Sequence, residues 1–342
     1  MRLNMKLEHK NILVDKVNIH YVESGQSAYV TNAIKAKDIS TVTGITAAKP
    51  TMIFLHGFPE YWGTWSAQLS FFSENYRVIA PDLPGYNLSD KPADVRFYTV
   101  PNLIAFIAKF IAAISPDRPV ILVAHDWGGA IAWPLAAFHA QLISQLIIVN
   151  AAHPSTFTRE MINNPLQRKK SAYIHQLISA SGESLLIKDD YRYLSEDIMV
   201  STNPSVFTAD VKAQYKQVWS QTGAINGMLQ YYRAMPQLAK NDTDNQSNNS
   251  TASFDTSSIQ NDAVKSTPVK DTSQLKIPNI RVNVATLILW GEQDLAFVNE
   301  NLDDIHHYVP NCVIKRFKDT SHWLQHERPN EVNAAINAFI NV

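Results

Sequence analysis

The sequence predicts an α/β protein with a mostly parallel central sheet, and three observations carry that expectation. Short runs rich in Val, Ile and Leu recur along the 342 residues. Several are apolar throughout, as strands buried on both faces are. Helical apolar patterns lie between or after them, as at Val100–Ile114 and Asn330–Ile340. Hydrophobic residues make up 45% of the chain, enough to fill a substantial core.

In chain order, strands are expected at Val17–Val22, Met52–His56, Arg77–Pro81, Pro119–His125, Leu142–Asn150, Ala285–Trp290 and Val313–Phe317. Pro329 suits the start of the last helix. Two regions break the alternation. Residues 152–236 read as mainly helical, and their position suggests a helical cap inserted into a core made of residues 1–151 and 281–342. Residues 237–280 form a second, polar insertion. Within it, residues 241–262 contain only Ala252, Phe254 and Ile259 as apolar residues, so the tract is expected to be a mobile loop. Tyr29–Lys49 reads as a shorter surface insertion.

The bulk numbers exclude several classes. Net charge is −1, and the cations are scattered rather than clustered, which speaks against a nucleic-acid partner or an anionic membrane surface. A single cysteine, Cys312, rules out a disulfide framework within the chain and speaks against a cysteine-based metal site. No run reaches the roughly 18 apolar residues of a membrane helix, and the N-terminal residues lack a signal-peptide pattern. A cytoplasmic protein is expected.

Four short segments carry chemistry. The first is Val123-Ala124-His125-Asp126-Trp127-Gly128-Gly129, where an apolar strand runs into a helical pattern. A sharp strand-to-helix turn needs small residues around its central side chain, here Ala124, Gly128 and Gly129. Such a turn lifts Asp126 above the sheet edge as a nucleophile, with the Trp127 N–H beside it. An ordinary turn whose Asp caps the helix is the alternative. The second is His56-Gly57-Phe58-Pro59-Glu60-Tyr61-Trp62, where the Phe58 N–H would pair with that of Trp127 in an oxyanion hole. The third is Trp290-Gly291-Glu292-Gln293-Asp294, which offers Asp294, or less well Glu292, to orient a histidine. The fourth is Asp319-Thr320-Ser321-His322, which offers His322 as the base. Asp126, Asp294 and His322 stand in nucleophile–acid–histidine order, each after an expected strand.

With these in place, HGFPEYW, DLPGYNLSDKP, VAHDWGGAIAW, LILWGEQD and SHWLQHERP closely resemble α/β-hydrolases of the epoxide hydrolase and haloalkane dehalogenase group. The resemblance spans about Asn11–Val22 and Pro50–Met235, then resumes near Val284 and runs to the end. Asn87 stands where the group usually has Gly, and Ser321 likewise. Pro134, inside the helix after the turn, is expected to remove a hydrogen bond and kink it. The resemblance implies a cofactor-independent hydrolase with an aspartate nucleophile, an alkyl-enzyme ester on Asp126, and water activated by His322 and Asp294. Epoxide hydrolases use two cap tyrosines as proton donors to the epoxide oxygen. Aligning on the family's Tyr-Arg pair gives Tyr232, and the segment Lys169–His175 offers Tyr173. The expected substrate is a small apolar epoxide. The alternatives are a haloalkane, cleaved with the same nucleophile, and a non-catalytic ligand-binding protein on this fold. Haloalkane dehalogenases commonly carry Asn at the position of Phe58. Trp127 and Ala130 occupy positions where fluoroacetate dehalogenases carry arginines, which argues against a haloacid. Ile178, Leu185, Leu186 and Met228 could line a pocket or belong to the core.

Overall fold

A computed structural model describes residues 6–25, 48–235 and 275–341. Eight strands form one sheet in the order β1-β2-β4-β3-β5-β6-β7-β8. They are β1 (Glu8–Val14), β2 (Val17–Ser24), β3 (Thr51–Leu55), β4 (Arg77–Pro81), β5 (Val120–His125), β6 (Ile143–Val149), β7 (Thr286–Gly291) and β8 (Cys312–Phe317). The pairs β1–β2 and β2–β4 are antiparallel, and every pair from β4 through β8 is parallel.

The seven expected strands lie within about two residues of those observed. β1 is not among them. It is an edge strand whose residues are mostly exposed or half-buried, so Glu8, His9, Lys10 and Asn11 hide the strand pattern. Its full ladder with β2 supplies the regularity that its composition lacks.

The helices cover both faces. Side chains alternate along β3, so that Ile53 and Leu55 face one core and Met52 and Phe54 the other. The first core packs against α2 (Val100–Ile114) and α3 (Trp127–Phe138). The second packs against α1 (Ser66–Phe72), Leu324 of α10 (Leu324–Glu327) and α11 (Pro329–Ile340). Residues 152–236 contain α4 (Pro154–Asn163), α5 (Pro165–Lys170), α6 (Tyr173–Leu177), α7 (Gly182–Arg192), a π-helical turn (Tyr193–Ile198), α8 (Ala209–Trp219) and α9 (Ala224–Arg233).

Helix α3 continues through Pro134. Residues 131–136 are all buried, and His139 N–H still donates to the Leu135 carbonyl at 2.8 Å. Tertiary packing on both sides outweighs the single missing hydrogen bond. Asn87 adopts φ 38°, the left-handed region that suits Gly, and its amide donates to Asp82 at 2.9 Å. Asn is among the few side chains that enter this region readily, which accounts for its standing in for Gly.

Most of the insertion at 237–280 lies outside the described residues, as does most of 29–49. Among the described residues, no helix is long and apolar enough to cross a membrane.

Candidate active site

Because β3 and β5–β8 run parallel, their C-terminal ends open on one side of the sheet, where open α/β sheets bind ligands. The four sequence segments meet there.

Asp126 joins β5 to α3 with φ 49° and ψ −118°, a conformation that costs a non-glycine residue backbone strain. The turn closes tightly. A Cβ on Gly57 would collide with the Asp126 side chain, and one on Gly128 with the Leu55 carbonyl. The Asp126 carboxylate makes no helix-capping bond. One oxygen instead accepts the Phe58 N–H at 2.7 Å, and the other faces His322 Nε2 at 3.7 Å. The carboxylate is thus held on one side and turned towards an imidazole on the other. Trp127, expected as the second backbone donor, opens α3, and its indole packs edge-on against Tyr231 and Tyr232.

His322 Nδ1 pairs with an Asp294 oxygen at 2.8 Å. Asp294 also accepts from the Asn150 amide at 2.8 Å and from the backbone N–H groups of Ala296 at 2.6 Å and Phe297 at 3.0 Å. Burial disfavours its charge, but His322 and these donors more than offset that, so its pKa is lowered. Burial also opposes a charged His322. The charge and hydrogen bond of Asp294, with the charges of Asp126 and Glu60, outweigh it and raise the pKa to about 9. Glu292 takes no part. It pairs with Arg316 at 2.5 Å, and His322 pairs with Asp294 instead.

The tyrosines come from the helical segment. Tyr173 opens α6 and Tyr232 lies near the end of α9, with ring centroids 6.3 Å apart. Tyr232 packs edge-on against Phe58 at 5.1 Å. Burial, with the nearby Asp126 charge, pushes both phenols above their usual range, so both keep their protons at neutral pH.

Asp126, Tyr173 and Tyr232 stand where two cavities meet, each of about 190 Å³. The first is apolar, walled by residues such as Trp127, Pro134, Phe157, Ile174 and Phe297. The second passes Phe58, Tyr193, Asp197 and His322. Ile178, Leu185, Leu186 and Met228 line neither. Leu186 and Met228 are fully buried in the core.

Three groups escaped sequence reasoning. Asn150 follows β6 and ties Asp294 to Gly291, accepting the Gly291 N–H at 2.9 Å. Glu60 is fully buried and paired with His125 at 2.8 Å, and it accepts the Gly57 N–H at 3.2 Å. His125 in turn meets the His322 carbonyl at 3.0 Å. A charged residue inside the aromatic run Phe58–Trp62 was the available signal for Glu60. Third, Gln167 and Lys170 of α5 bind the loop after Asp294. Lys170 Nζ donates to the Asp294 carbonyl and, at 2.8 Å, to that of Phe297. Gln167 donates to the Ala296 carbonyl at 2.8 Å and accepts the Val298 N–H at 3.0 Å.

A parallel sheet with a strained aspartate turn after β5 and an acid–histidine pair after β7 and β8 defines the α/β-hydrolase class. The chain belongs to the α/β hydrolase fold family, whose model matches residues 50–329. Within the family it lies close to the epoxide hydrolases. It is 31% identical over 299 residues to epoxide hydrolase 4 of Mus musculus, covering 85% of this chain and 73% of that one. It is 31% identical over 293 residues to the AB hydrolase superfamily protein YfhM of Bacillus subtilis, covering 85% and 90%. A crystal structure of an epoxide hydrolase variant from Bacillus megaterium, in complex with its product, a naphthyloxy propanediol, superposes with a TM-score of 0.76. That protein is 29% identical, and the match covers 97% of this chain and 100% of that one.

Proposed function

We propose that the chain hydrolyses epoxides to vicinal diols through an ester on Asp126. The observation that carries this is the placement of Asp126, one oxygen held by the Phe58 N–H, in one cavity wall with the protonated phenols of Tyr173 and Tyr232. Residues 152–236 act as the cap in this reading, on a core of residues 1–151 and 281–342, because they supply the phenols. No cofactor is required.

An Asp126 oxygen attacks a ring carbon, the carbon–oxygen bond breaks, and a phenol of Tyr173 or Tyr232 protonates the departing oxygen. The ester removes the negative charge of Asp126, which weakens the hold of His322 on its proton. That proton returns, through solvent, to the phenolate. Neutral His322, oriented by Asp294, then takes a proton from water as the hydroxide adds to the Asp126 carboxyl carbon. The N–H groups of Phe58 and Trp127 hold the tetrahedral oxyanion. Its collapse breaks the bond between the carboxyl carbon and the ester oxygen, the proton of the added hydroxide passes to that departing oxygen, and the diol leaves with Asp126 ionised and His322 protonated. The aromatic lining of the first cavity supports an apolar, aryl-bearing substituent, as in the product held by the Bacillus megaterium relative.

The test pairs two variants on one aryl epoxide. His322→Gln should accumulate the ester, seen as the substrate's mass on the peptide containing Asp126. Tyr232→Phe should slow ester formation about 100-fold or more, the usual contribution of a general acid. An adduct on another residue, or full turnover by His322→Gln, would remove the mechanism. Unimpaired halide release from a haloalkane by Tyr232→Phe, with no diol from any epoxide, would favour a dehalogenase.

A further inference from the structure

The second cavity has a charge character of its own. Its ionisable lining consists of Asp126, Asp197, His322 and the phenols of Tyr173, Tyr193 and Tyr232, with no lysine or arginine among the described residues. The described lining of the first cavity also lacks a cation. His322 already faces both Asp126 and Asp294. Asp197 sits in the π-helical turn Tyr193–Ile198 and is exposed. The nearby Arg192 is shared between Asp189 and Glu196, each at 3.9 Å. Asp197 and Tyr193 both line the cavity, and burial and then the Asp197 charge push the Tyr193 phenol up to about 12. Beside it, the apolar side chains of Val200 and Leu295 are 39% and 57% exposed. An alkyl stem packed on them would keep its end group within the cavity that Asp197 lines.

We propose that Asp197 sets substrate charge. It selects epoxides whose second substituent ends in a protonated amine, and it rejects those ending in a carboxylate. The proposal rests on epoxide opening at Asp126. A terminal ammonium gains a counter-charge at the rim. A terminal carboxylate meets the like charge of Asp197, while the one cation of the described lining, protonated His322, already lies between Asp126 and Asp294. Because Asp197 is exposed, its effect is screened and modest, about threefold for each unit of charge at low salt.

The test uses three epoxides with the same aryl group on one ring carbon. On the other carbon they carry chains of equal length ending in an ammonium, a hydroxyl or a carboxylate. Each kcat/KM is taken relative to the hydroxyl substrate of the same variant, so the readout is a ratio. In the unaltered protein the ammonium substrate should exceed the carboxylate about tenfold, and the gap should narrow in high salt. Asp197→Asn should bring the ratio to within about threefold of unity, and Asp197→Lys should invert it. If the unaltered protein opens the hydroxyl substrate without a charge preference, the role of Asp197 is overturned while the epoxide reaction stands. A full preference retained by Asp197→Asn overturns that role in the same way. If none of the three is opened, nor a simple aryl epoxide, the epoxide reaction itself falls, and the role of Asp197 with it.

Discussion

At the scale of single residues, His322 links the site to stability. Its folded pKa is raised to about 9 from an ordinary 6.5, so the folded protein holds a proton there that the unfolded chain releases. The stabilisation is complete below pH 6.5 and disappears as pH rises through about 9. It is on the order of 3 kcal/mol. Thermal denaturation of the unaltered protein should therefore show Tm falling by a few degrees between these pH values. His322→Gln should show a much flatter dependence. An equal slope in both would place the raised pKa elsewhere. Asp126, Asp294 and His322 were legible because each follows a strand, and strands and chain order are both visible in a sequence. Asn150 was not. Its bond to Asp294 joins positions 144 apart, and no local pattern encodes such a pairing.

At the scale of elements, α5 shows how two parts of the site are held in register. It is a short helix, started by Asn164, whose side chain accepts the N–H groups of Leu166 and Gln167. Gln167 and Lys170 then grip the backbone of residues 294–298, while Tyr173 follows only three residues after Lys170. The tyrosine and the acid loop thus share one anchor. Removing the ammonium leaves two carbonyls without a donor and frees the loop to shift. Lys170→Met is expected to lower kcat about tenfold, slowing both ester formation and ester hydrolysis, because misplacement of reacting groups is costly. Lys170→Arg should recover part of the loss. Single-turnover kinetics separate the two steps, and a defect confined to one of them would show that α5 does not couple them. Strands β2 to β8 and α2 were legible because their apolar runs stand out, whereas the polar residues of β1 hid it. The grip of α5 was not, because Gln167 and Lys170 look like ordinary polar residues on a helix surface.

At the scale of the whole molecule, Glu60 and His125 join the loop after β3, the end of β5 and the loop after β8 through buried hydrogen bonds. The sheet brings those strand ends together, and the fold class read from the alternation of strands and helices already set that arrangement. What the sequence could not show is that two unlike chambers would meet at Asp126. Their walls draw on residues as far apart along the chain as Phe58 and Trp323. That meeting has a stereochemical consequence. A substrate with one aryl and one polar arm fits only one way round. Mirror-image epoxides held in that orientation point their ring oxygens to opposite sides, and the phenols of Tyr173 and Tyr232, with ring centroids 6.3 Å apart, form one cluster that only one of them would meet. A racemic mixture should therefore be resolved as it is consumed, with one enantiomer taken about tenfold faster, a discrimination of about 1.4 kcal/mol. Chiral chromatography of the epoxide left at half conversion measures it. Oxygen-18 from labelled water, followed over a single turnover and then over many, would show whether the new oxygen enters the same ring carbon every time. Equal loss of both enantiomers, or label scattered over both carbons, would mean that either chamber accepts either arm.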